Sequence, residues 1–293
     1  MSRHTASILL PIGVLLAGMI SFQCGAALAK QLFPLIGAQG AVAIRLGLGA
    51  LILWVVRRPW RALAGKRDWP ALWGYGLTLG LMNLSFYMAL RTIPLGIAVA
   101  LEFIGPLAIA LFGSRRWLDF LWVALVVIGL GLLLPLRDQA HALDPVGVMY
   151  AMGAAVGWAA YILLGRRAGA SFGADAAALG TAIGALLAVP VGIAHAGGAL
   201  FALSLLPLAL GVAVLSSALP YSLEMFTLTR LPAATVGILM SIEPSLGALL
   251  GMLFLHEHLS MLQWLAIAAI IAASMGTALS SRTAEPSLEP LPP

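Results

Sequence analysis

Four ionisable side chains stand inside otherwise apolar runs of this chain: Arg45, Glu102, Glu224 and Glu243. A charge at the centre of a bilayer costs about 2.5–3.5 kcal/mol on insertion scales, so such a residue faces a protein interior and has a task there. A carboxylic acid withdrawn from water gives up its proton less readily, and can load and release it near neutral pH as a coupling site must. Glu102 and Glu243 both fall near the middle of their runs. Proton exchange and hydrogen bonding to a substrate ammonium are the chemistry they offer. The structural alternative for each is a pair with a buried cation or with backbone N–H groups. Glu224 lies near the end of its run with Arg230 close in sequence, and reads as structural. Arg45 carries a planar fork that suits a carboxylate bidentately; its alternative is a fixed salt bridge to Glu102 or Glu243.

Neutral polar groups form a second tier: Gln23, Asn83, Ser85, Tyr87, Trp158, Tyr161, Ser216, Ser217, Tyr221 and Ser241. Asn83 and Tyr87 are four residues apart and share one helix face, and Ser217 and Tyr221 repeat that spacing later in the chain. Hydroxyl and amide groups on facing helices suit a small polar amino acid, with interhelical hydrogen bonding as the structural competitor. Asn83, Tyr87, Ser217 and Tyr221 therefore join Arg45 and Glu243 as candidate substrate contacts, with Glu102 as the candidate proton carrier.

Other chemistries lack their residues. Gly65-Lys66 is followed by Arg67 without the upstream glycine of a phosphate loop. His256-Glu257-His258 has the wrong spacing for a zinc protease, the single cysteine Cys24 forms no Cys/His cluster, and no metal site is expected. No aspartate lies in the core of an apolar run, and Gly129-Leu130-Gly131 lacks the third glycine of a dinucleotide site. No cofactor is expected.

The elements that must hold these groups follow from composition. Of 293 residues, 61% are hydrophobic and 9% charged, with a mean hydropathy of +1.02. A soluble domain is about 25% charged, so this chain reads as an all-α polytopic membrane protein. A bilayer core needs roughly 20 apolar residues per helix. Ten such runs occur, near 8–29, 36–56, 70–90, 94–113, 118–136, 145–165, 174–194, 204–227, 231–254 and 260–279. They are continuously apolar, unlike the alternating strands of a barrel. The first run is long for a signal-peptide core and reads as a span. Residues 281–293 carry four prolines and read as a disordered tail.

The basic residues orient the spans. With the N-terminus inside, twelve Lys and Arg fall on inner segments and Lys30, Arg91 and Arg137 on outer ones. That is a positive-inside pattern, so the net charge of +5 sets topology and no nucleic-acid partner is expected. Both termini are expected in the cytoplasm.

The two halves of the chain echo each other. Pro94 and Pro106 are twelve apart, as are Pro232 and Pro244, at an offset of 138. Phe22 with Lys30 matches Trp158 with Arg166 at an offset of 136. Five spans per half makes the halves insert oppositely, giving two inverted five-helix repeats over 1–136 and 145–280. Inverted repeats are common in transporters, with the site near the midplane between them. Pro94 and Pro232 start their spans, while Pro106 and Pro244 fall inside theirs and are expected to kink them. Gly76/Gly80, Gly153/Gly157, Gly180/Gly184 and Gly247/Gly251 have the small-xxx-small spacing of close helix contacts.

The stretches LFPLIGAQGAVAIRLGLGALIL, IPLGIAVALEFIGPLAIALFGSRR and LSSALPYSLEMFTLTRLPAATVGILMSIEPSLGALLGMLFL resemble the bacterial inner-membrane exporters of threonine and homoserine, a ten-helix group in the EamA-like branch of the drug/metabolite transporter superfamily. The resemblance runs from about residue 8 to residue 280. Its most specific part is the double-proline spans with Glu102 and Glu243. It implies secondary active export of threonine, homoserine and related small amino acids from the cytoplasm, coupled to protons. Relatives often have Gly-Glu where this chain has His256-Glu257, which bears on the local loop geometry. The alternatives are a different cargo on the same fold (a drug, sugar or nucleobase-like metabolite), a lipid-modifying membrane enzyme, for which no catalytic constellation is found, and a permease subunit. The internal duplication argues that the chain closes its own pathway, so no ATPase subunit is expected.

Overall fold

The computed structural model describes residues 3–62, 67–112, 143–173, 175–220 and 242–282, with parts of 121–132 and positions 223, 227, 239 and 240. Among these residues the structure is helical, without a strand. The helices are α1 (Arg3–Lys30), α2 (Phe33–Arg57), α3 (Trp69–Ala89), α4 (Leu95–Glu102), α5 (Ile104–Phe112), α6 (Pro145–Phe172), α7 (Asp175–Ala196), α8 (Leu206–Ala213), α9 (Glu243–Leu255) and α10 (Met261–Arg282). Most of the predicted span at 118–136, the first part of that at 231–254, the tail beyond 282, and Tyr221, Glu224, Pro232 and Ser241 lie outside the described residues.

Four described stretches are long and apolar enough to cross a membrane: Leu10–Lys30, Phe33–Arg57, Pro145–Phe172 and Asp175–Phe201. Large apolar side chains such as Val55, Met149, Leu203 and Met261 face outward, as a lipid-facing surface requires. Among the described residues the other apolar helical stretches are shorter. The predicted span at 94–113 breaks at Phe103 between α4 and α5, and the one at 231–254 turns at Ile242 before α9. α8 passes into a π turn at Val214–Ala218.

The two prolines correct the expectation of kinks inside continuous helices. Pro106 is the third residue of α5 and Pro244 the second of α9. Proline has no N–H to give the carbonyl four residues back, which is Glu102 in one case and Met240 in the other. Each chain segment therefore ends one helix and starts another. Each proline sits in a first turn, where the missing N–H costs little.

Capping fixes the ends. Asp68 accepts from Ala71 N at 3.0 Å to start α3. Asp144 accepts from Val146 N and Gly147 N, both at 3.2 Å, to start α6. The Thr92 hydroxyl and these two amides hold the Asp144 carboxyl below its ordinary range. At the end of the molecule carrying Arg57, that side chain reaches Asp175 at 3.6 Å, and Arg67 donates to the Ser171 carbonyl. At the opposite end Lys30 pairs with Glu257 at 2.6 Å.

Glycines set the closest crossings. A Cβ on Gly80 would lie 3.0 Å from the Gly184 carbonyl oxygen, and one on Gly76 2.8 Å from that of Gly180. The small-xxx-small pairs of α3 and α7 thus face each other. α2 packs most extensively on α7, and α3 on both α6 and α7. α4 and α9 run antiparallel: Gly96 abuts Ala248, Val99 abuts Gly247, and Leu95 abuts Gly251. Continuing that run brings Glu102 and Glu243 to one level.

Candidate functional site

A cavity of about 100 Å³ opens where α1, α3, α4 and α6 meet the start of α9. Arg45, Glu102 and Glu243, the three charged groups singled out in the sequence near span centres, all line it. Each is at least nine-tenths buried, with Arg45 at 1% exposure. The remaining wall is mostly apolar: Leu15, Met19, Phe22, Met82, Val99 and Met240 among others, with Gln23, Trp158 and Tyr161 adding polar edges.

Arg45 reaches the cavity from α2 and is held on several sides. Nη1 donates to Asn83 Oδ1 at 2.5 Å and Nη2 to the Ser216 carbonyl at 3.1 Å. The guanidinium carbon lies 4.8 Å from the Phe22 ring centroid and 5.4 Å from that of Tyr87. The Ser216 acceptor comes from the π turn. A π turn leaves carbonyls out of the α-helical ladder, and such turns are frequent at functional sites. The neighbouring Leu215 carbonyl is used the same way, accepting from Ser21 Oγ at 2.8 Å. Gly25 permits this approach of α1, since a Cβ there would lie 2.6 Å from Ser216 N.

Among the described residues no carboxylate lies within salt-bridge distance of Arg45, and Nε has no hydrogen-bond partner. The fixed salt bridge to Glu102 or Glu243, weighed from sequence, is not formed. A buried cation held by neutral groups and lacking a counter-ion is costly unless an anion joins it.

The two acids differ in setting. Glu243 begins α9, and its Oε1 accepts from Gln23 Nε2 at 3.2 Å. Glu102 ends α4, and no hydrogen bond joins it to another described side chain.

The second-tier residues divide. Asn83 is buried, accepts from Arg45, and donates to its own helix at the Leu79 carbonyl, 2.8 Å away. Tyr87 is fully buried over the guanidinium, against Phe33 and Phe86. Neither lines the cavity; both position Arg45. Ser217 is buried against Gly49 and also stands off the cavity wall. Tyr75 donates to the Tyr161 hydroxyl at 3.1 Å, with their rings stacked. Gln23, Trp158 and Tyr161 line the cavity although the sequence ranked them lower. Their depth was legible, but not the direction in which they point. Among the described residues no His, Cys, Asp and Glu cluster fit for a metal occurs.

Apolar-faced helices around a small, buried, charged cavity define a helical membrane transporter. The chain belongs to the EamA-like transporter family. Residues 145–279 match the model of that family. The chain is 55% identical over 281 residues to the threonine/homoserine exporter RhtA of Salmonella typhimurium strain LT2, covering 96% of this chain and 95% of that one. To RhtA of Escherichia coli strain K12 it is 55% identical over 273 residues, covering 93% and 92%. A solved crystal structure of a protein 22% identical superposes with a TM-score of 0.60 over 94% of this chain and 99% of that one, a likeness of fold.

Proposed function

We propose that this protein is a secondary active exporter of small amino acids, with threonine and homoserine as cargo, coupled to protons and working alone in a bacterial inner membrane. The observation that carries the reading is Arg45, a buried guanidinium without a carboxylate partner among the described residues, on the wall of a cavity that also holds Glu102 and Glu243. A zwitterion complements that wall. Its carboxylate takes Arg45 and its ammonium takes the acids. A neutral sugar would bring no anion to Arg45, which has no carboxylate partner among the described residues. The names of the relatives, threonine/homoserine exporters at 55% identity over nearly the full length, support the cargo.

The architecture we infer is ten spans in two inverted five-helix repeats, 1–136 and 145–280, with both termini cytoplasmic. Reciprocal packing supports it. α3 packs on α6 and α7, as α8 and its π turn pack on α1 and α2. α4 and α5 pack on α6, as α9 packs on α1. α2 against α7 and α4 against α9 are each self-reciprocal. The family match over 145–279 is consistent with the second unit. The charge asymmetry sets the Arg57 end inside and the Lys30 end outside. On that orientation the Lys30–Glu257 pair lies toward the outer side.

The experiment is efflux of preloaded threonine, homoserine, serine and a cationic dye from cells with and without the protein, repeated with Arg45→Lys. Export of the amino acids with no dye movement is expected. Arg45→Lys keeps charge but loses the fork, so apparent affinity falls while the protein stays in the membrane. Dye movement without amino-acid movement would replace this cargo with another, and unchanged export by Arg45→Ala would remove Arg45 from the site.

A further inference from the structure

We infer that Gln23 reads the side-chain hydroxyl of the transported amino acid, and so sets the preference for hydroxylated over purely aliphatic cargo. The inference rests on the proposed export of threonine and homoserine and adds the group that recognises their distinguishing atom.

Gln23 lies on α1, is fully buried, and lines the cavity beside Glu243. Its Nε2 donates to Glu243 Oε1 at 3.2 Å. Its Oε1 is buried without any hydrogen-bond partner. A buried amide oxygen left unpaired is unfavourable by about 1–3 kcal/mol, and native interiors rarely keep one without a reason. The orientation of the amide has a chemical cause. A carboxylate only accepts hydrogen bonds, so the NH2 must face Glu243 and the oxygen must face away. Oε1 faces α9 at Gly247, where a Cβ would stand 3.4 Å from it.

The other ends of the substrate are already matched. Arg45 suits the carboxylate, and Glu102 with Glu243 suits the ammonium. The donor remaining on threonine or homoserine is the hydroxyl, and among the described residues Gln23 Oε1 is an acceptor without a partner on a side chain that lines the cavity. Valine has the shape of threonine with a methyl in place of the hydroxyl, and norvaline stands in the same relation to homoserine. Either would bind with Oε1 still unpaired. Sites built to hydrogen-bond a substrate group reject the analogue lacking it far more strongly than apolar pockets reject a size change.

The test is competition in proteoliposomes. Unlabelled threonine, valine, homoserine and norvaline compete with labelled threonine, on wild type and on Gln23→Met. Wild type is expected to favour threonine over valine by about 10-fold or more, from one unmade hydrogen bond. In Gln23→Met that ratio collapses toward one, and the homoserine to norvaline ratio follows it. Disturbing Glu243 indirectly would weaken all four ligands together and leave the ratios standing, and that result overturns the inference. So does a wild type that binds valine as tightly as threonine, a result independent of any variant. If Gln23→Met does not reach the membrane, Gln23→Asn withdraws the oxygen by one methylene and supplies the same ratio. Failure of wild type to bind threonine at all would instead sink the export reading.

Discussion

The two broken helices that supply the acids are built on one plan and finished differently. In each, a proline in the first turn of the second segment denies a hydrogen bond to the segment before it, and the chain turns at Phe103 or Ile242. Glu102 stands before its break, at the carbonyl end of α4. Glu243 stands after its break, at the amide end of α9. The amide end of a helix favours negative charge and the carbonyl end opposes it. Glu243 also has the Gln23 amide as donor. Helix polarity thus sets the two acids apart, and we propose the standing carboxylate at Glu243 and the exchanging proton at Glu102. Superposing the prolines sets Glu243 on Gly105 and Glu102 on Met240. In the proposed repeat the halves are therefore asymmetric at these acids, as a directional carrier with two different groups would need.

The largest expected effect tests this division directly. Glu102→Gln mimics a permanently protonated acid. In proteoliposomes with an imposed pH gradient it is expected to abolish accumulation of threonine against its gradient, while downhill exchange partly survives. Accumulation equal to wild type would show that Glu102 is not the coupling acid, and the contrast between the helices would lose its functional meaning.

Glu243→Gln is expected to do the converse. Hydrogen bonds to charged groups contribute about 1.5–3 kcal/mol. Apparent threonine affinity should fall roughly 10- to 100-fold, with the response to the pH gradient retained in whatever transport remains. If uphill transport vanishes while exchange affinity is unchanged, the two roles must be exchanged.

The acids and Arg45 were legible because a charge in an apolar run stands out by type alone. The prolines likewise announced the breaks, though not that each would open a new helix at Ile104 or Glu243. Rotation about the helix axis was not legible. Asn83 and Tyr87 do share a face, but it turns toward Arg45 and away from the cavity. Ser217 turns toward Gly49 because the π turn at Val214–Ala218 shifts the register of α8, and no glycine or proline within that turn signals it. The break inside α2 at Gly37, with φ of 69° and ψ of 173°, is a conformation only glycine adopts readily. The sequence offered several glycines nearby and no means of choosing among them.

A smaller effect probes the silent partner of Glu243. Gly105, its counterpart in the first half, packs so closely on α6 that a Cβ would collide with the Ala155 carbonyl oxygen. Backbone cannot yield as a side-chain tip can. Gly105→Ala is expected to destabilise by about 1–3 kcal/mol, the usual range for overpacking, read as a lower melting temperature in detergent. An unchanged melting temperature would mean that the two helices separate freely there, and that the first half has room for a side chain where the second half has its acid.

The smallest effect lies at the far end of α9. His256 follows the last helical residue with φ of 53° and ψ of 32°, and Glu257 N bonds back to the Gly251 carbonyl at 3.2 Å. This left-handed position is where helices usually place glycine. The turn aims Glu257 at two targets: Lys30 Nζ at 2.6 Å and Leu95 N, the first amide of α4, at 2.8 Å. One carboxylate thereby ties the end of α9 to the start of α4 and to the end of α1. α4 has no comparable device at its own end, where Glu102 meets the break. A left-handed conformation costs a non-glycine residue about 1–2 kcal/mol, and glycine's greater freedom in the unfolded chain returns part of that. His256→Gly is therefore expected to stabilise modestly, by about 0.5–1 kcal/mol, raising the melting temperature in detergent by a few degrees with transport unchanged. A fall would show that the imidazole makes a contact worth more than the strain it imposes. Loss of transport together with a rise would show that the strain itself keeps Glu257 in place.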